Sequence, residues 1–399
     1  MELTLLGTGA PLGLPRPDCP CAVCATARRD RARAATALLV DGALLLDLTP
    51  GAALAAARSG HSLVGVRQVL LTHPHDGPSV EVPAGLPAAV RVPDGRELTL
   101  ISGHRVRAVS MDSPGTGYEV TSPDGERLLY LPPGGSPAGL TGDHLRPYDM
   151  VVADVTGRPD ALARLRSTGA VGASTDVIAV HIDHDVPNGA ELDRRLAAAG
   201  ARTVPDGTTL YVGEYHAVPD VPRRTLVTGG ARSGKSLEAE RRLESVPEVL
   251  YVATGGIREG DPEWAERVTL HRDRRPGSWR TAETCDLVPL LEADGPALLI
   301  DCLSLWLTDA MDRVGAWDDE RWASGAQEAL RERVAELVAA VRATSRTVVA
   351  VTNEAGSGVV PATAAGRRFR DELGRLNAAF GDECEHMLLV VAGQAVVLR

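Results

Sequence analysis

One eight-residue segment carries the residues of a phosphate-binding loop. Its sequence, GGARSGKS, matches the pattern G-x-x-x-x-G-K-[ST] at every position. In such a loop the backbone N–H groups wrap a phosphate, the lysine contacts the β- and γ-phosphates, and the final hydroxyl binds Mg²⁺. The motif follows an apolar run and precedes a helical pattern, so we predict a nucleoside triphosphate site. The predicted site comprises Gly229, Gly230, Ala231, Arg232, Ser233, Gly234, Lys235 and Ser236.

Lys235 is the single lysine of the chain, which has 42 lysine and arginine residues in total. A compositional bias has replaced lysine by arginine everywhere else. Lysine is a compact point charge, whereas arginine is a wide planar fork. We infer that position 235 needs an ammonium group.

Asp301 closes the apolar run ALLID, at the expected end of a strand. A carboxylate at this place is typical of a group that holds Mg²⁺ directly or through water. The alternative is that Asp301 caps a helix that begins near Cys302. Both roles can hold together, and we favour the metal-related one.

Three cysteines, Cys19, Cys21 and Cys24, lie within six residues. Without a secretory signal, such a cluster indicates metal or redox chemistry rather than a disulfide framework. The spacing favours a structural Zn²⁺, which needs a fourth ligand for a closed tetrahedral site. We take His216 as the candidate fourth ligand, with three reduced, unliganded cysteines as the alternative.

The elements that must position these residues fall into two halves. Short apolar runs separated by turn signals predict strands in the first half: ELTLLG, ATALLVDGALLLDL, QVLLTH, ERLLYLP, DMVVADV and DVIAVHI. The second half alternates strand and helix patterns, with a continuous helix expected from Glu320 to Arg342, which predicts a mostly parallel sheet covered by helices. The two-proline segment from His216 to Arg224 is the expected linker, so we predict domains at residues 1–218 and 224–399.

Composition narrows the functional classes. The chain is 44% hydrophobic and 24% charged, as in soluble globular domains. Its net charge of −11 argues against a nucleic-acid partner. No apolar run approaches the roughly 18 residues of a membrane helix, and no signal-peptide pattern is found. We expect a cytoplasmic protein without a membrane span.

Six segments follow one another through the second half: LVTGGARSGKS, YVATGG, RVTLHRDRRPGSWRTAE, LLIDCLSLWLTD, VTNEAGSGVVP and FRDELGRLNAAF. In this order they resemble the bifunctional adenosylcobinamide kinase / adenosylcobinamide-phosphate guanylyltransferase family. The resemblance implies a RecA-like P-loop fold, Mg²⁺, GTP and ATP as substrates, adenosylcobinamide and its phosphate as ligands, and a homo-oligomer. It also implies a covalent GMP–histidine at His271, where neutral imidazole is a competent nucleophile.

The same resemblance implies further nucleotide contacts around His271. Arginines after the nucleophile offer bidentate phosphate contacts, and Glu283 is a candidate acceptor for the guanine N1–H and amino group. Asn353 and Glu354 are expected at the edge of the site. Besides the loop, the implied nucleotide-binding residues are Ala253, Thr254, Gly255, Arg272, Asp273, Arg274, Arg275, Glu283 and Asp301.

The first half resembles the metallo-β-lactamase fold, especially its phosphodiesterase-like branch, in MELTLLGTGAPLGLPRPDCPCAVC, LLLDL and LTHPHDG. That family holds two metals with T-H-x-H-x-D-H and further ligands. Here His73 and His75 match, but Gly77 and Pro78 replace the next two ligands, and Asp112 or a neighbour replaces another histidine. We expect an αββα domain that serves as a scaffold or binding module rather than a hydrolase.

Two further implications of this resemblance stay open. A single residual metal on His73, His75 and either His181 or His184 is an alternative to a site without metal. The phosphodiesterase-like branch also has a structural zinc near its N-terminus, which agrees with the cysteine cluster. For the whole chain, the rival functions are a P-loop small-molecule kinase without guanylyl transfer and a nucleotide-regulated binding protein.

Overall fold

The structure, a computed structural model, describes residues 1–73, 82–138, 140, 146–214, 216, 221–256, 269 and 275–399. The chain divides into two compact units, Met1–Val221 and Pro222–Arg399. None of the described helices has the length and apolarity needed to cross a membrane.

Two six-stranded sheets form the frame of the first unit. In spatial order, the first sheet contains β12 (Thr208–Tyr211), β1 (Glu2–Gly7), β2 (Ala37–Val40), β3 (Leu44–Leu46), β4 (Gln68–Leu70) and β5 (Ala89–Val90). The second contains β11 (Asp176–Ala179), β10 (Met150–Ala153), β9 (Arg127–Tyr130), β8 (Thr116–Thr121), β7 (Arg105–Ser110) and β6 (Glu97–Thr99). Apolar side chains of both sheets share one core, among them Leu3, Leu38, Val120, Leu128 and Val152.

Helices cover the outer faces of these two sheets. Ala56 clusters with Leu39 on the first sheet. Leu162 and Leu192 cluster with Val151 on the second sheet. The αββα arrangement expected from the sequence is therefore confirmed. The helices of this unit are α1 (Ala22–Thr26), α2 (Ala52–Arg58), α3 (Pro159–Ser167) and α4 (Ala190–Ala198), with 3-10 turns at Arg29–Arg31 and Leu63–Gly65.

The second unit is built on one seven-stranded sheet. Six strands are parallel and the last one, at the edge, is antiparallel, which confirms the mostly parallel sheet. In spatial order the strands are β15 (Arg280–Glu283), β14 (Val249–Ala253), β16 (Ala297–Asp301), β17 (Val348–Asn353), β13 (Arg224–Gly229), β18 (His386–Val391) and β19 (Gln394–Val397). The helices are α5 (Lys235–Arg241), α6 (Leu287–Glu292), α7 (Leu303–Val314), α8 (Asp319–Arg321), α9 (Gln327–Ala343) and α10 (Ala364–Asp382).

Both faces of this parallel sheet are buried. On one face, Leu243 beyond α5 clusters with Leu299. The opposite face is covered by α7, α9 and α10, from which Leu303, Leu337 and Leu373 enter the core. Burial on both faces explains why the central strands are continuous apolar runs rather than alternating ones.

The continuous helix expected from Glu320 to Arg342 is wrong in one place. A π-helical segment, Trp322–Ala326, joins α8 to α9. Inside it Gly325 has φ 131°, a conformation that glycine adopts without the steric cost of a Cβ. The glycine therefore interrupts the helical pattern that the apolar spacing suggests.

Candidate functional site

The predicted phosphate-binding loop connects β13 to α5. Its last glycine, Gly234, has φ 98°, which residues with a side chain rarely adopt. A Cβ on Gly229 would lie 2.5 Å from the Val390 carbonyl oxygen, so only glycine fits there. Lys235 is 6% exposed, and its Nζ donates to the Gly230 carbonyl at 3.2 Å. The single lysine of the chain is thus held inside the turn of the loop.

Three predicted residues lie side by side at the carboxyl ends of neighbouring strands. Ala253, at the end of β14, is in register with Glu283 of β15 on one side and with Asp301 of β16 on the other. Strand β13, which leads into the phosphate-binding loop, is separated from β16 only by β17, and all three strands are parallel. The loop therefore lies at the same edge of the sheet as these three residues. Ligands of parallel α/β sheets bind at this edge.

A stack of side chains that the sequence did not predict adjoins Asp301. The Tyr251 hydroxyl donates to Asp301 Oδ2 at 2.8 Å. The Arg275 guanidinium lies over the Tyr251 ring, 3.4 Å from its centroid. Burial, and then the charge of Asp301, raise the pKa of Tyr251 far above its usual value, so the phenol is a donor. Its position in an apolar strand gave no functional signal.

Thr254 positions the backbone that follows Asp301. Its hydroxyl accepts from the Cys302 N–H at 2.8 Å and donates to the Cys302 carbonyl at 2.7 Å. The residue is 5% exposed, so a nucleotide contact from it stays a prediction, and the structure gives its side chain a positioning role. Helix α7 begins after Cys302 without a side-chain cap, and the alternative in which Asp301 caps this helix is therefore wrong.

A cavity of about 420 Å³ opens beside the ends of β14 and β15. It contains four predicted residues, Ala253, Thr254, Gly255 and Glu283. Acidic side chains and one arginine of α7 form the facing wall. The complete lining is Ala253, Thr254, Gly255, Gly256, Glu283, Thr284, Cys285, Leu305, Thr308, Asp309, Asp312 and Arg313.

The residues expected at the edge of the site contact the same loop and helix. The Glu354 N–H donates to the Gly229 carbonyl at 3.1 Å. The Asn353 side chain donates to the Ser304 hydroxyl of α7 at 2.8 Å. These bonds tie the end of β17 to the phosphate-binding loop and to α7. The predicted residues that lie outside the described part of the chain are His75, His271, Arg272, Asp273 and Arg274.

In the first unit, the cysteine cluster is completed by His184 and not by His216. His184 Nδ1 lies 3.1, 3.7 and 3.5 Å from the Sγ atoms of Cys19, Cys21 and Cys24. His216 instead faces the Glu214 carbonyl at 3.3 Å. The assignment of His216 as fourth ligand is therefore wrong.

Local contacts support the four-ligand arrangement. The Cys24 N–H donates to Cys21 Sγ at 3.4 Å. This bond, together with hydrogen bonds from the Cys19 and Cys24 side chains and the Val23 backbone, lowers the pKa of the Cys21 thiol to about 7. Asp183 Oδ1 accepts from the His184 N–H at 2.7 Å and from Arg16 Nε at 2.9 Å. The carboxylate thereby fixes the backbone of the histidine loop against the segment that precedes the cysteines.

A buried carboxylate lies beside His73, the described histidine of the segment LTHPHDG. Asp47 is fully buried and accepts from the Thr72 hydroxyl and the Tyr130 hydroxyl, each at 2.7 Å. His73 Nδ1 lies 3.4 Å from Asp47. His181 is buried with Nε2 3.2 Å from the Leu131 carbonyl, and burial lowers its pKa to about 4.

The described residues of this cluster are bound to one another. The Thr72 N–H donates to Asp47 Oδ1 at 2.7 Å, and the Thr72 and Tyr130 hydroxyls donate to Asp47 Oδ2. His184 belongs to the cysteine cluster. Within the described part of the chain, potential metal ligands gather in groups of three or more only at Cys19, Cys21, Cys24 and His184. A residual metal on His73 and His75 stays an untested prediction, and its variant with His184 is wrong.

The loop, the parallel sheet and the carboxylate at the end of β16 define the second unit as a P-loop nucleotide-binding domain. A family model described as cobinamide kinase / cobinamide phosphate guanyltransferase matches residues 225–398. The bifunctional adenosylcobalamin biosynthesis protein CobU of Salmonella typhimurium is 40% identical over 185 residues, which are 44% of this chain and 98% of that protein. The chain belongs to the cobinamide kinase / cobinamide phosphate guanyltransferase family.

Two solved structures are also similar. Zn²⁺-bound PqqB from Methylobacterium extorquens has a TM-score of 0.41 and 19% identity, covering 53% of this chain and 100% of its own. A diphosphatase from the PhnP family has a TM-score of 0.41 and 20% identity, covering 55% of this chain and 99% of its own. The fold of the first unit is defined here by its own two sheets and flanking helices.

Proposed function

We propose that the second unit phosphorylates adenosylcobinamide with ATP or GTP and then transfers GMP from GTP to the new phosphate. The products are adenosylcobinamide-GDP and pyrophosphate. Membership of the family, with 98% of the Salmonella relative covered, is the observation that carries this proposal. The intact phosphate-binding loop with the buried Lys235 supports it independently.

In the kinase step, the hydroxyl of the aminopropanol arm attacks the γ-phosphorus of the nucleoside triphosphate. A phosphorus–oxygen bond forms, the bond to the β-phosphate oxygen breaks, and the hydroxyl proton is released. Lys235 and the loop N–H groups hold the β- and γ-phosphates and stabilise the charge of the leaving diphosphate.

Guanylyl transfer proceeds in two displacements. An imidazole nitrogen of His271 attacks the α-phosphorus of GTP, a phosphorus–nitrogen bond forms, and pyrophosphate leaves. The phosphate of adenosylcobinamide phosphate then attacks the same phosphorus, and the bond to His271 breaks. A neutral imidazole is a good nucleophile at pH 7, and it divides one difficult step into two easier ones. The phosphates can accept charge-assisted hydrogen bonds from Arg272, Arg274 and Arg275.

Ser236 and Asp301 would hold Mg²⁺ together with the nucleotide phosphates. Both provide oxygen atoms, which are the ligands that Mg²⁺ prefers, so the residues fit this ion. When bound, the ion would neutralise part of the negative charge of the phosphates. Asp301 Oδ2 accepts from the Tyr251 hydroxyl, and the Thr254 hydroxyl donates to the carbonyl of the next residue, Cys302.

The guanine base is assigned to the cavity beside β14 and β15. At about 420 Å³, the cavity lies within the range of small-molecule sites, at its lower end. Glu283 supplies acceptors for the N1–H and amino group of guanine, whereas the corresponding edge of adenine offers an acceptor at N1. The backbone register supports this assignment, because Glu283 pairs with Ala253 on one side and Asp301 pairs with it on the other.

Labelling of the full chain with GTP that is radioactive at the α-phosphorus tests the histidine intermediate. We expect an acid-labile, alkali-stable label on the protein, loss of the label in His271→Ala, and its release by adenosylcobinamide phosphate. A label that survives in His271→Ala overturns the assignment of His271. Kinase turnover without any label supports the rival P-loop kinase, and nucleotide binding without pyrophosphate release supports a regulated binding protein.

For the first unit we propose a structural Zn²⁺ on Cys19, Cys21, Cys24 and His184. Three sulfur atoms and one imidazole nitrogen are a common zinc donor set, and usual bond lengths place such atoms roughly 3.5 Å apart. The Sγ–Nδ1 distances of 3.1 to 3.7 Å agree with that spacing. We further propose that this unit is a scaffold or binding module, because Gly77 and Pro78 replace two ligands of the hydrolytic motif.

A further inference from the structure

Tyr251 links two residues that the proposed function uses for different purposes. Its hydroxyl lies 2.8 Å from Asp301 Oδ2, and its ring carries the Arg275 guanidinium at 3.4 Å. Arg275 Nη1 also donates to the Thr281 hydroxyl of β15, at 3.3 Å. Tyr251 itself is 4% exposed and lies in the core beside α5. One rigid ring therefore connects the strand-end carboxylate with the last arginine of the segment that follows His271.

We propose that Tyr251 is a positioning residue, which holds the Asp301 carboxylate in the orientation that binds the nucleotide-associated cation and holds Arg275 towards the phosphates. This inference rests on the function proposed above. It assigns to a core tyrosine a role that neither the loop motif nor the family resemblance gives it.

The two contacts divide the role of the side chain into separable parts. A hydrogen bond to a metal-binding carboxylate sets its orientation, and its loss weakens metal binding or activity by roughly 10- to 100-fold. The cation–π contact depends on the aromatic face and not on the hydroxyl. Tyr251→Phe therefore removes the first contact and keeps the second, whereas Tyr251→Leu removes both.

The first unit contains a matched control. Tyr148 is 1% exposed, its hydroxyl donates to Glu119 Oε2 at 3.0 Å, and the Arg127 guanidinium lies 4.4 Å from its ring centroid. The arrangement of tyrosine, carboxylate and arginine is the same, but no predicted nucleotide contact is near it in sequence. Tyr148→Phe thus measures the cost of removing such a hydroxyl for structural reasons alone.

The direct test is cation binding without turnover. Mn²⁺ binding by the full chain, in the presence of a non-hydrolysable GTP analogue, is measured by the electron paramagnetic resonance signal of free Mn²⁺. For Tyr251→Phe we expect Mn²⁺ binding that is at least about tenfold weaker than in wild type. Its thermal unfolding temperature should equal that of Tyr148→Phe. Equal Mn²⁺ affinity in wild type and Tyr251→Phe overturns the proposal.

Steady-state kinetics then separate the two contacts. In Tyr251→Phe the Mg²⁺ concentration for half-maximal pyrophosphate release should rise while the KM for GTP stays constant, and excess Mg²⁺ should restore the rate. In Tyr251→Leu the KM for GTP should rise as well. If the half-maximal Mg²⁺ concentration and the KM for GTP change together in both variants, the role of Tyr251 is structural and the proposal is overturned. If wild type and Tyr148→Phe form no adenosylcobinamide-GDP, the proposed function fails, whereas the Mn²⁺ measurement still decides the role of Tyr251.

Discussion

Glu283 and Asp301 lie on opposite sides of Ala253, each in backbone register with it, at the ends of β15 and β16. Two strand spacings separate them, which is about 9.5 Å between the strand axes. A nucleotide placed across the end of β14 can meet one carboxylate at its base and the other near its phosphates. The two acidic residues are therefore suited to different parts of one ligand.

The first prediction concerns guanine selection. We expect Glu283→Gln to reduce the preference for GTP over inosine triphosphate, which lacks the exocyclic amino group, by about tenfold, the value of one hydrogen bond to a charged group. The measurement is the ratio of kcat/KM for the two nucleotides in pyrophosphate release. Glu292→Gln, an exposed glutamate at the end of α6 that does not line the cavity, is the control. An unchanged ratio in Glu283→Gln would remove Glu283 from base recognition.

The second prediction concerns the single lysine. Lys235 is almost fully buried in the turn of the loop, where the wider guanidinium does not fit in the same way. We expect Lys235→Arg to lower kcat of the kinase step by roughly 100-fold or more, as for other lost transition-state contacts. Arg58→Lys, on the exposed side of α2, controls for the changed composition. A Lys235→Arg rate within threefold of wild type would contradict the inferred need for an ammonium group.

The third prediction concerns zinc. His184→Ala should reduce bound zinc from about one ion per chain to a small fraction and lower the thermal unfolding temperature, because a structural zinc contributes directly to folding. Elemental analysis and calorimetry measure the two effects. His216→Ala should keep the zinc, since His216 lies against Glu214. The same zinc content in His184→Ala and wild type, or in the pair Cys19→Ala/Cys21→Ala, would refute the site.

The fourth prediction concerns pH. Burial lowers the pKa of His181 from 6.5 to about 4 in the folded protein. Between these values the unfolded chain binds more protons than the folded one, so the free energy of unfolding decreases as the pH falls from 6.5 to 4. This one residue accounts for a decrease of up to about 3 kcal/mol.

Urea unfolding at pH 7.5 and at pH 5 checks this expectation. His181→Asn is the informative variant, because residue 181 has φ 58° and asparagine tolerates that conformation better than most residues. Between the two pH values, His181→Asn should lose less stability than wild type does. Equal losses would mean that His181 titrates normally.

The parts of the fold that were predictable are those with local causes. The loop and the strands on both sides of it depend on glycines, one lysine and apolar runs that are adjacent in sequence. Asp301 was predictable because it ends such a run. Gly325 was a visible exception in an otherwise helical pattern, yet apolar spacing alone favoured one continuous helix.

The parts that were missed depend on pairing between distant segments. His184 reaches the cysteines because Ile182 exchanges backbone hydrogen bonds with Thr8 and Ala10, which joins residues more than 170 positions apart. No local pattern distinguishes His184 from His216 as the fourth ligand. Tyr251 was missed for a similar reason, since its partners Arg275 and Asp301 lie on other elements of the chain.

Because Lys235 is the single lysine of the chain, its chemical modification can report whether a nucleotide occupies the loop. Amine-acylating reagents find one ε-amino group in this chain, and it is enclosed by the turn that receives the phosphates. One acyl group on the peptide that contains Lys235 should therefore mark a molecule with an empty loop, and a bound nucleotide should prevent its attachment. Mass spectrometry of that peptide would then report nucleotide binding as the presence or absence of a single increment, without any introduced probe.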